Sequence, residues 1–195
     1  MWDAQNHIFS DYLRRRGKLT GDIAAAALYL LFLQVATVNQ ARAVAATVQQ
    51  KLLGVGGLAT TLVTGGQQWD APNGWAPLQW IAVEGLGNYG FGPLAQEIAG
   101  RGVHKNIAGY QEAAKLVEKY NVTTTGGDEG RGGEYATQIG FGWTNGVLVA
   151  LSSLYRQGRG GAPQSADRDC HSARQLSRDL VNFSSSEKRS RKRRE

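Results

Sequence analysis

The chain has 195 residues, a mass of 21.1 kDa and 42% hydrophobic residues, which is enough for one globular domain or a piece of a larger one and too short for two. Its single cysteine, Cys170, excludes a disulfide framework and a cysteine-based metal site, and the absence of HExxH and GxSxG argues against zinc-protease and serine-hydrolase functions. The net charge of +6 resides in residues 156–195, which carry 11 basic and 5 acidic side chains, whereas residues 1–155 carry 11 of each and have no electrostatic reason to bind nucleic acid.

The N-terminal part of the chain predicts neither a signal peptide nor a membrane span. Residues 1–13 lack a basic start followed by an apolar run. The longest apolar stretch, residues 23–38, falls short of the roughly 20 residues that a bilayer requires. We therefore expect a buried helix in this stretch, ending near Thr37, with Thr20 or Asp22 as its N-cap.

Further predicted helices are separated by glycine-rich loops. They cover residues 40–53, 77–86, 93–100, 105–120 and 144–155. Pro and Asn-Gly content marks residues 67–77 as a shaped loop, and five glycines mark residues 123–133 as another. Because no strand alternation persists beyond a few residues, we predict an all-α fold.

The composition changes after Tyr155. A Gly/Pro/Ser-rich stretch is followed by a basic run at residues 188–194. We predict a disordered tail over residues 156–195. The basic run has two interpretations, a patch for nucleic acid or a membrane surface and a solvated chain end.

Aromatic and amide side chains are concentrated in the loop before the third predicted helix. Trp69 and Trp75 stand beside Gln68, Asp70 and Asn73, and they are not at helical spacing. Flat aromatic faces beside hydrogen-bonding groups are what a sugar requires, because its C–H faces stack and its hydroxyls need donors and acceptors. Core packing is the alternative explanation of such a cluster.

Two carboxylates are candidates for chemistry. If residues 105–120 are helical, Glu118 points in nearly the same direction as Ile107, on the apolar face, where a carboxylate is costly unless it is paired or functional. The alternative is a partly exposed Glu118 paired with Lys115 or Lys119. Glu134 follows two glycines that would let the backbone approach a ligand, and the alternative is an exposed loop or helix-end charge.

These segments resemble the α,α-trehalases, inverting glycoside hydrolases that split trehalose into two glucoses. The run QWDAPNGWAP at residues 68–77 is similar to the family's QWDxPxGWxP signature. The run EKYN at residues 118–121 resembles its EKYD segment, and residues 132–146 resemble its GGEY and GFGWTNG segments. The resemblance covers about residues 2–155 and implies an (α/α)6 toroid, of which this chain would hold about half of the helices.

The resemblance also implies roles for individual residues. The family's catalytic base falls on Glu118, its GGEY glutamate falls on Glu134 as a substrate contact, and Trp69, Trp75 and Asp70 belong to the region that lines the sugar site. No metal or cofactor is implied. The expected ligand is trehalose or glucose, without nucleic acid for the main domain and without a membrane.

Two departures from the family pattern accompany these matches. Asn121 replaces the aspartate of EKYD, close to the expected base. The catalytic acid of the family lies in an SGWDxSxR segment, and Asp3 lacks the serine and arginine of that pattern. An inverting glycosidase needs that acid at a distance of about 6.5–9.5 Å from its base.

The sequence therefore predicts the C-terminal part of a trehalase-like enzyme over residues 1–155, from a truncated or split gene, with an N-terminal part of the same enzyme as its partner. The alternatives are an inactive remnant, a sugar-binding module without catalysis, and a different (α/α)6 glycosidase. Family members are periplasmic or cytoplasmic, so the resemblance leaves the compartment open.

Overall fold

The structure is a computed structural model that describes residues 1–157, so the tail predicted for residues 156–195 lies outside the described residues except at its first two positions. Helices make up most of the regular structure. In chain order they are α1 (Tyr29–Phe32), α2 (Val38–Thr47), α3 (Ala76–Asn88), α4 (Gly92–Ala113) and α5 (Gly142–Gln157). A 3-10 turn at Ala25–Leu28 precedes α1, and a π-helical turn at Val48–Leu52 continues α2.

Short strands, which the sequence did not predict, pair in four two-stranded antiparallel sheets within this part of the chain. They are β1 (Trp2–Asp3), β2 (Ile8–Phe9), β3 (Tyr12–Leu13), β4 (Lys18–Leu19), β5 (Leu53–Gly54), β6 (Gly57–Leu58), β7 (Asn73–Trp75) and β8 (Lys119–Asn121). Each has only two or three residues, too few for alternation to show in the sequence. They pin loops onto a helical fold and form no sheet layer.

The first predicted helix is wrong in extent. Instead of running from residue 23 to residue 37, it consists of the 3-10 turn and α1, and it ends where Gln34 adopts a left-handed backbone with φ of 56°. The amides of Val35 and Ala36 then both donate to the Leu30 carbonyl. Apolar content predicted the burial of Leu28 and Leu31, but Leu33 and Val35 are 62% and 66% exposed, and nothing in the composition indicated this early helix end.

Helix α4 corrects two further predictions. It joins the helices predicted at residues 93–100 and 105–120 into one, and Gly102 is buried inside it next to Gln79 of α3. It ends at Ala113 because Ala114 adopts a left-handed backbone with φ of 52°. Glu118 therefore does not lie on a helix, and the helical periodicity used to predict its burial does not apply.

The core lies where α3 packs against α1, α4 and α5. Its fully buried side chains include Leu31, Leu86 and Ile98. Gln79 of α3 accepts from the Leu58 amide at 2.8 Å and donates to the Leu58 carbonyl at 2.7 Å, which fixes β6 against the helix. In the described part of the chain, no helix has the length and apolar content to cross a membrane.

Candidate active site

The pairing of β7 with β8 builds the centre of the candidate site. Its register places Trp75 opposite Lys119 and Gly74 opposite Tyr120. Pro77 starts α3 in its first turn, where a missing amide hydrogen costs nothing, so β7 leads directly into a helix buried in the core. The sheet therefore brings the QWDAPNGWAP loop against the segment that contains Glu118.

Asn73, the buried first residue of β7, ties two loops together. Its side-chain amide donates to the carbonyls of Gln68 at 3.1 Å and Arg131 at 2.5 Å, and its Oδ1 accepts from the Arg131 amide at 3.0 Å. One side chain thus holds the tryptophan loop, residues 67–77, against the glycine arm, residues 130–134. Sequence reasoning noted Asn73 only as a sugar-binding candidate and missed this role.

Three tryptophans form one cluster at this junction. Trp69 stacks on Trp75 with ring centroids 4.1 Å apart and an angle of 12°, and Trp143 meets Trp75 edge-on at 5.5 Å. Trp75 is 2% exposed, whereas Trp69 and Trp143 are 40% and 38% exposed. The core-packing explanation therefore applies to Trp75, which is part of the hydrophobic core. The ligand-binding explanation applies to Trp69 and Trp143, which keep exposed faces.

Glu118 is fully buried in the extended segment before β8. Its amide donates to the Gln138 carbonyl at 2.9 Å, and its Oε1 lies 2.5 Å from the Lys119 ammonium. Its Oε2 is buried and has no hydrogen-bond partner. The burial of Glu118 was predicted correctly, but from a helical periodicity that does not apply here. The alternative prediction was wrong about the partial exposure of Glu118 and right about Lys119 as its partner.

Lys119 is a site residue that the sequence analysis named only as a possible partner of Glu118. Its side chain is completely buried, and its ammonium lies over the rings of Trp75 at 5.4 Å and Tyr135 at 5.5 Å. A buried ammonium is tolerated only where it is compensated, here by the Glu118 carboxylate and two aromatic faces. Its place opposite Trp75 in the β7–β8 register could not be read from the sequence.

Glu134 is exposed at the end of the glycine arm. Gly132 and Gly133 have φ near +90°, and a Cβ on Gly132 would lie 2.5 Å from the Gly66 carbonyl oxygen. The Gly133 amide donates to that same carbonyl at 3.0 Å. The close approach that the glycines permit is therefore to the tryptophan loop, and it leaves Glu134 beside that loop.

Gly130 provides a test of how tightly this arm is packed. A Cβ at Gly130 would lie 2.7 Å from both Asn73 Oδ1 and Lys119 Cγ. Gly130→Ala is therefore expected to lower the free energy of unfolding by about 1–3 kcal/mol in urea titrations, since these buried groups cannot move freely. Gly126→Ala is the control, because its Cβ would meet only the ends of two acidic side chains, Glu112 Oε1 at 3.3 Å and Asp128 Oδ2 at 3.6 Å. Equal losses in both variants would contradict the packing described here.

Asp70 and Asp3 have local structural contacts. Asp70 Oδ2 accepts from the Gln67 amide at 3.1 Å, which shapes the tryptophan loop. The Asn6 side chain and backbone donate to the Asp3 carboxylate and hold its pKa below the usual value. Since a general acid must be protonated, Asp3 in this β1–β2 turn is unsuited to that role.

Asn121, the departure from the EKYD pattern, faces the turn after β8. Its Oδ1 accepts from the Thr123 amide at 3.0 Å and from the Thr123 hydroxyl at 2.7 Å. Both bonds require only an acceptor oxygen, which asparagine and aspartate each supply. The substitution therefore preserves the turn that follows Glu118 and Lys119.

Tyr120 gives the site a pH-dependent contribution to stability. Burial raises the pKa of its hydroxyl to about 12, although the Val117 amide donates to its oxygen. Between pH 10 and about 12 the folded chain keeps the Tyr120 proton and the unfolded chain loses it. The contribution of Tyr120 to the free energy of unfolding is therefore complete below pH 10 and is lost as the pH rises to about 12. We expect Tyr120→Phe to remove about 2–3 kcal/mol of the fall in unfolding free energy across this range, measured by urea titration. The same alkaline fall in the variant would contradict the assignment.

An open cleft of about 640 Å³ lies beside the cluster. Tyr135, Arg131 and Asn121 contribute to its wall, and Tyr135 also contacts Lys119, so the cleft adjoins the aromatic cluster. Its lining includes none of the residues that the sequence predicted to bind sugar. Within residues 1–157, no group of three or more His, Cys, Asp and Glu side chains is arranged to hold a metal ion.

Known proteins of one family match this chain over most of its length. The family model described as Trehalase matches residues 1–156. The chain belongs to the trehalase family. Periplasmic trehalases from Salmonella paratyphi B and Salmonella newport are each 48% identical over 154 residues, which is 79% of this chain and 27% of the relative. This trehalase-family chain thus spans about a quarter of the length of these relatives.

Solved structures agree with the fold of this trehalase-family chain. Neutral trehalase from Saccharomyces cerevisiae superposes with a TM-score of 0.70 and 28% identity, over 89% of this chain and 30% of the yeast protein. A mannosylglycerate hydrolase from Thermus thermophilus has a TM-score of 0.57 at 22% identity, over 77% of this chain and 34% of that protein, which supports the fold alone. The prediction of an all-α fold that forms part of an (α/α)6 toroid is confirmed.

Proposed function

We propose that this trehalase-family chain carries the base and part of the sugar site of an enzyme that hydrolyses α,α-trehalose to two glucoses with inversion. The observation that carries the proposal is the buried Glu118 carboxylate, whose partner Lys119 lies over the ring of Trp75 in the tryptophan cluster. Membership of the trehalase family supports the glycosidase class.

Glu118 is the proposed general base. Its carboxylate is held in place by the Lys119 ammonium at 2.5 Å, and a general base must be positioned within hydrogen-bond reach of the water that it deprotonates. Oε1 also has a second lone-pair site besides the one used by Lys119. We place the attacking water on that side of the carboxylate, towards Trp75 and Tyr135, where Lys119 lies.

The exposed aromatic faces are the proposed sugar platform. Trp69 is held parallel to Trp75, so its outer face is oriented before any ligand arrives. Trp75 packs against the inner face of Trp69, and its ring nitrogen donates to the Gln68 carbonyl at 2.9 Å. Glu134 and Asp70, on the two loops that meet here, are the proposed contacts for sugar hydroxyls.

A second candidate function is sugar binding without catalysis. It is favoured by the sequence, in which no segment matches the family's SGWDxSxR acid pattern. Hydrolysis would require a carboxylic acid from another part of the same enzyme, outside these 195 residues, to protonate the leaving group. Without that acid the site would bind sugar and not cleave it. Both functions share the proposed aromatic platform and differ only in turnover.

A trehalose titration with a parallel assay of glucose release separates these candidates. Trehalose is expected to change the tryptophan fluorescence of the full chain saturably, and Trp69→Ala should abolish this change because it removes the stacking face. Trp2→Phe is the control, since Trp2 lies in β1 and contacts Phe9. Glucose release is assayed on a chimera in which residues 1–156 replace the matching segment of the Salmonella periplasmic trehalase, so that a catalytic acid is present. Binding by the full chain with glucose release by the chimera supports the hydrolase, and binding alone supports the sugar-binding module. No saturable change, or an equal change in Trp69→Ala, would contradict the proposed site.

We also propose a periplasmic location for the enzyme. The Salmonella relatives at 48% identity are named periplasmic trehalases. Fractionation of the source cells, with detection of the chain by an antibody to residues 1–157, tests this directly. Recovery in the cytosolic fraction alone would contradict it.

A further inference from the structure

A small cavity adjoins Glu118. It has a volume of about 20 Å³, and its walls come from α3, α4, α5 and the segment around β8. Glu118, Asn106 and Thr144 all line it, together with Lys105 and Gln79, whereas none of the clustered aromatic rings does. Gly74 and Ala76 of the tryptophan loop also line it, so the cavity lies close to that loop although no ring of the cluster forms its wall.

Three buried oxygens around this cavity lack hydrogen-bond partners. They are Glu118 Oε2, Asn106 Oδ1 and Thr144 Oγ1. The Asn106 amide nitrogen donates to the Gly102 carbonyl at 2.7 Å, so the orientation of this side chain is set and its oxygen is the free atom. An unsatisfied buried polar group costs free energy, and three such groups around one space indicate a shared partner.

One water molecule has the hydrogen-bonding capacity that these three groups require. It can donate one hydrogen to Glu118 Oε2 and the other to Asn106 Oδ1, and it can accept the hydroxyl hydrogen of Thr144. The volume fits one water, which needs at least about 10–15 Å³ by the same measure. A metal cation is disfavoured because Lys105 lines the cavity and Lys119 already neutralises Glu118.

Lys105 itself is occupied elsewhere. Its ammonium donates to the Thr124 hydroxyl at 2.9 Å and to the Gly126 carbonyl, and it lies 3.8 Å from Asp128. Burial lowers the pKa of Lys105, partly offset by the Asp128 carboxylate. Since its donors serve the loop that follows β8, Lys105 does not fill the role of partner to the three free oxygens.

We propose that Glu118, Asn106 and Thr144 bind one internal water molecule that fixes the orientation of the Glu118 carboxylate. Lys119 then holds Oε1 and the water holds Oε2, so the carboxylate cannot rotate. The water site stands on the geometry alone, whereas its use in orienting a base rests on the proposed function. Thr144, at the start of α5, is accordingly a positioning residue.

Crystal structures of the full chain and two variants test the proposal. Thr144→Val removes the hydroxyl at nearly constant volume, and Thr144→Ser keeps it. We expect one water within hydrogen-bonding distance of all three side chains in the parent and in Thr144→Ser. In Thr144→Val we expect the water to be absent and the Glu118 carboxylate to be displaced or to occupy two conformations. An empty cavity or a metal ion in the parent, or an unchanged carboxylate in Thr144→Val, would overturn it.

A solution measurement keeps the test independent of crystals. In the parent, nuclear Overhauser contacts between a long-lived water and the Asn106 side-chain amide are expected, and they should disappear in Thr144→Val. Their absence in the folded parent would overturn the water site.

Kinetics separate this inference from the proposed function. In a chimera in which residues 1–156 replace the matching segment of the Salmonella periplasmic trehalase, Thr144→Val should lower kcat about tenfold, the size expected for one lost hydrogen bond, while KM changes little and Thr144→Ser stays near the parent. A water at the site without glucose release by the chimera would leave the inference standing and count against the hydrolase. Glucose release by the chimera without the water would overturn the inference and support the hydrolase.

Discussion

Glu118→Gln is expected to lower kcat for trehalose by about three orders of magnitude, because the amide keeps the shape of the side chain but cannot accept a proton. Since the substitution also leaves the buried Lys119 ammonium without its counter-charge, circular dichroism of the variant must show a folded chain before the kcat values are compared. The measurement uses a chimera in which residues 1–156 replace the matching segment of the Salmonella periplasmic trehalase, so that the remainder of the enzyme is present. Activity within about tenfold of the parent chimera would contradict the assignment of the base.

Glu97→Gln is the matched control for this substitution. Glu97 lies on α4 and forms a partly exposed pair with Arg101 four residues later, at 2.5 Å. Loss of such a pair changes stability by only about 0.3–0.5 kcal/mol, and kcat should stay near that of the parent. A large loss of kcat in both variants would indicate damage to the fold in place of a catalytic role for Glu118.

Lys119→Met is expected to cause the largest loss of stability, about 3–5 kcal/mol in urea unfolding of the full chain. The substitution leaves the fully buried Glu118 carboxylate without its partner. It also removes the cation from the faces of Trp75 and Tyr135. The double variant Lys119→Met with Glu118→Gln should recover part of this loss, because no uncompensated charge then remains.

Lys115→Met provides the comparison at the surface. Lys115 pairs with Glu129 at 3.1 Å, and both side chains are 42% exposed. Its removal should cost less than about 1 kcal/mol, the usual range for an exposed pair. If the two lysine variants were equally stable, burial of the Glu118–Lys119 pair would not have the energetic role described here.

The sequence predicted the fold class because helical apolar patterns extend over long segments. The last predicted helix lies within α5, and the helix predicted at residues 77–86 lies within α3. The boundaries failed where single residues adopt left-handed backbones, at Gln34 and Ala114. Neither residue type favours that conformation, so local propensity gave no warning of these helix ends.

The sequence predicted several residues of the candidate site but not the contacts between them. Glu118, Trp69 and Trp75 stand out by residue type and motif, but the contact of Lys119 with Trp75 depends on the β7–β8 register. That register joins segments far apart in the chain, which no local pattern specifies. The free oxygens of Asn106 and Thr144 likewise become visible only after α4 and α5 have packed around the cavity.

The most direct test of Glu118 as the base of an inverting hydrolysis is azide rescue of Glu118→Ala in the same chimera. Removing the side chain opens space for a small anion that needs no deprotonation and can attack the anomeric carbon in place of water. The account predicts that azide restores cleavage of trehalose and yields β-glucosyl azide, identified by proton NMR, while the parent chimera forms none. Undiminished hydrolysis without azide, or a glucosyl azide of α configuration, would contradict it.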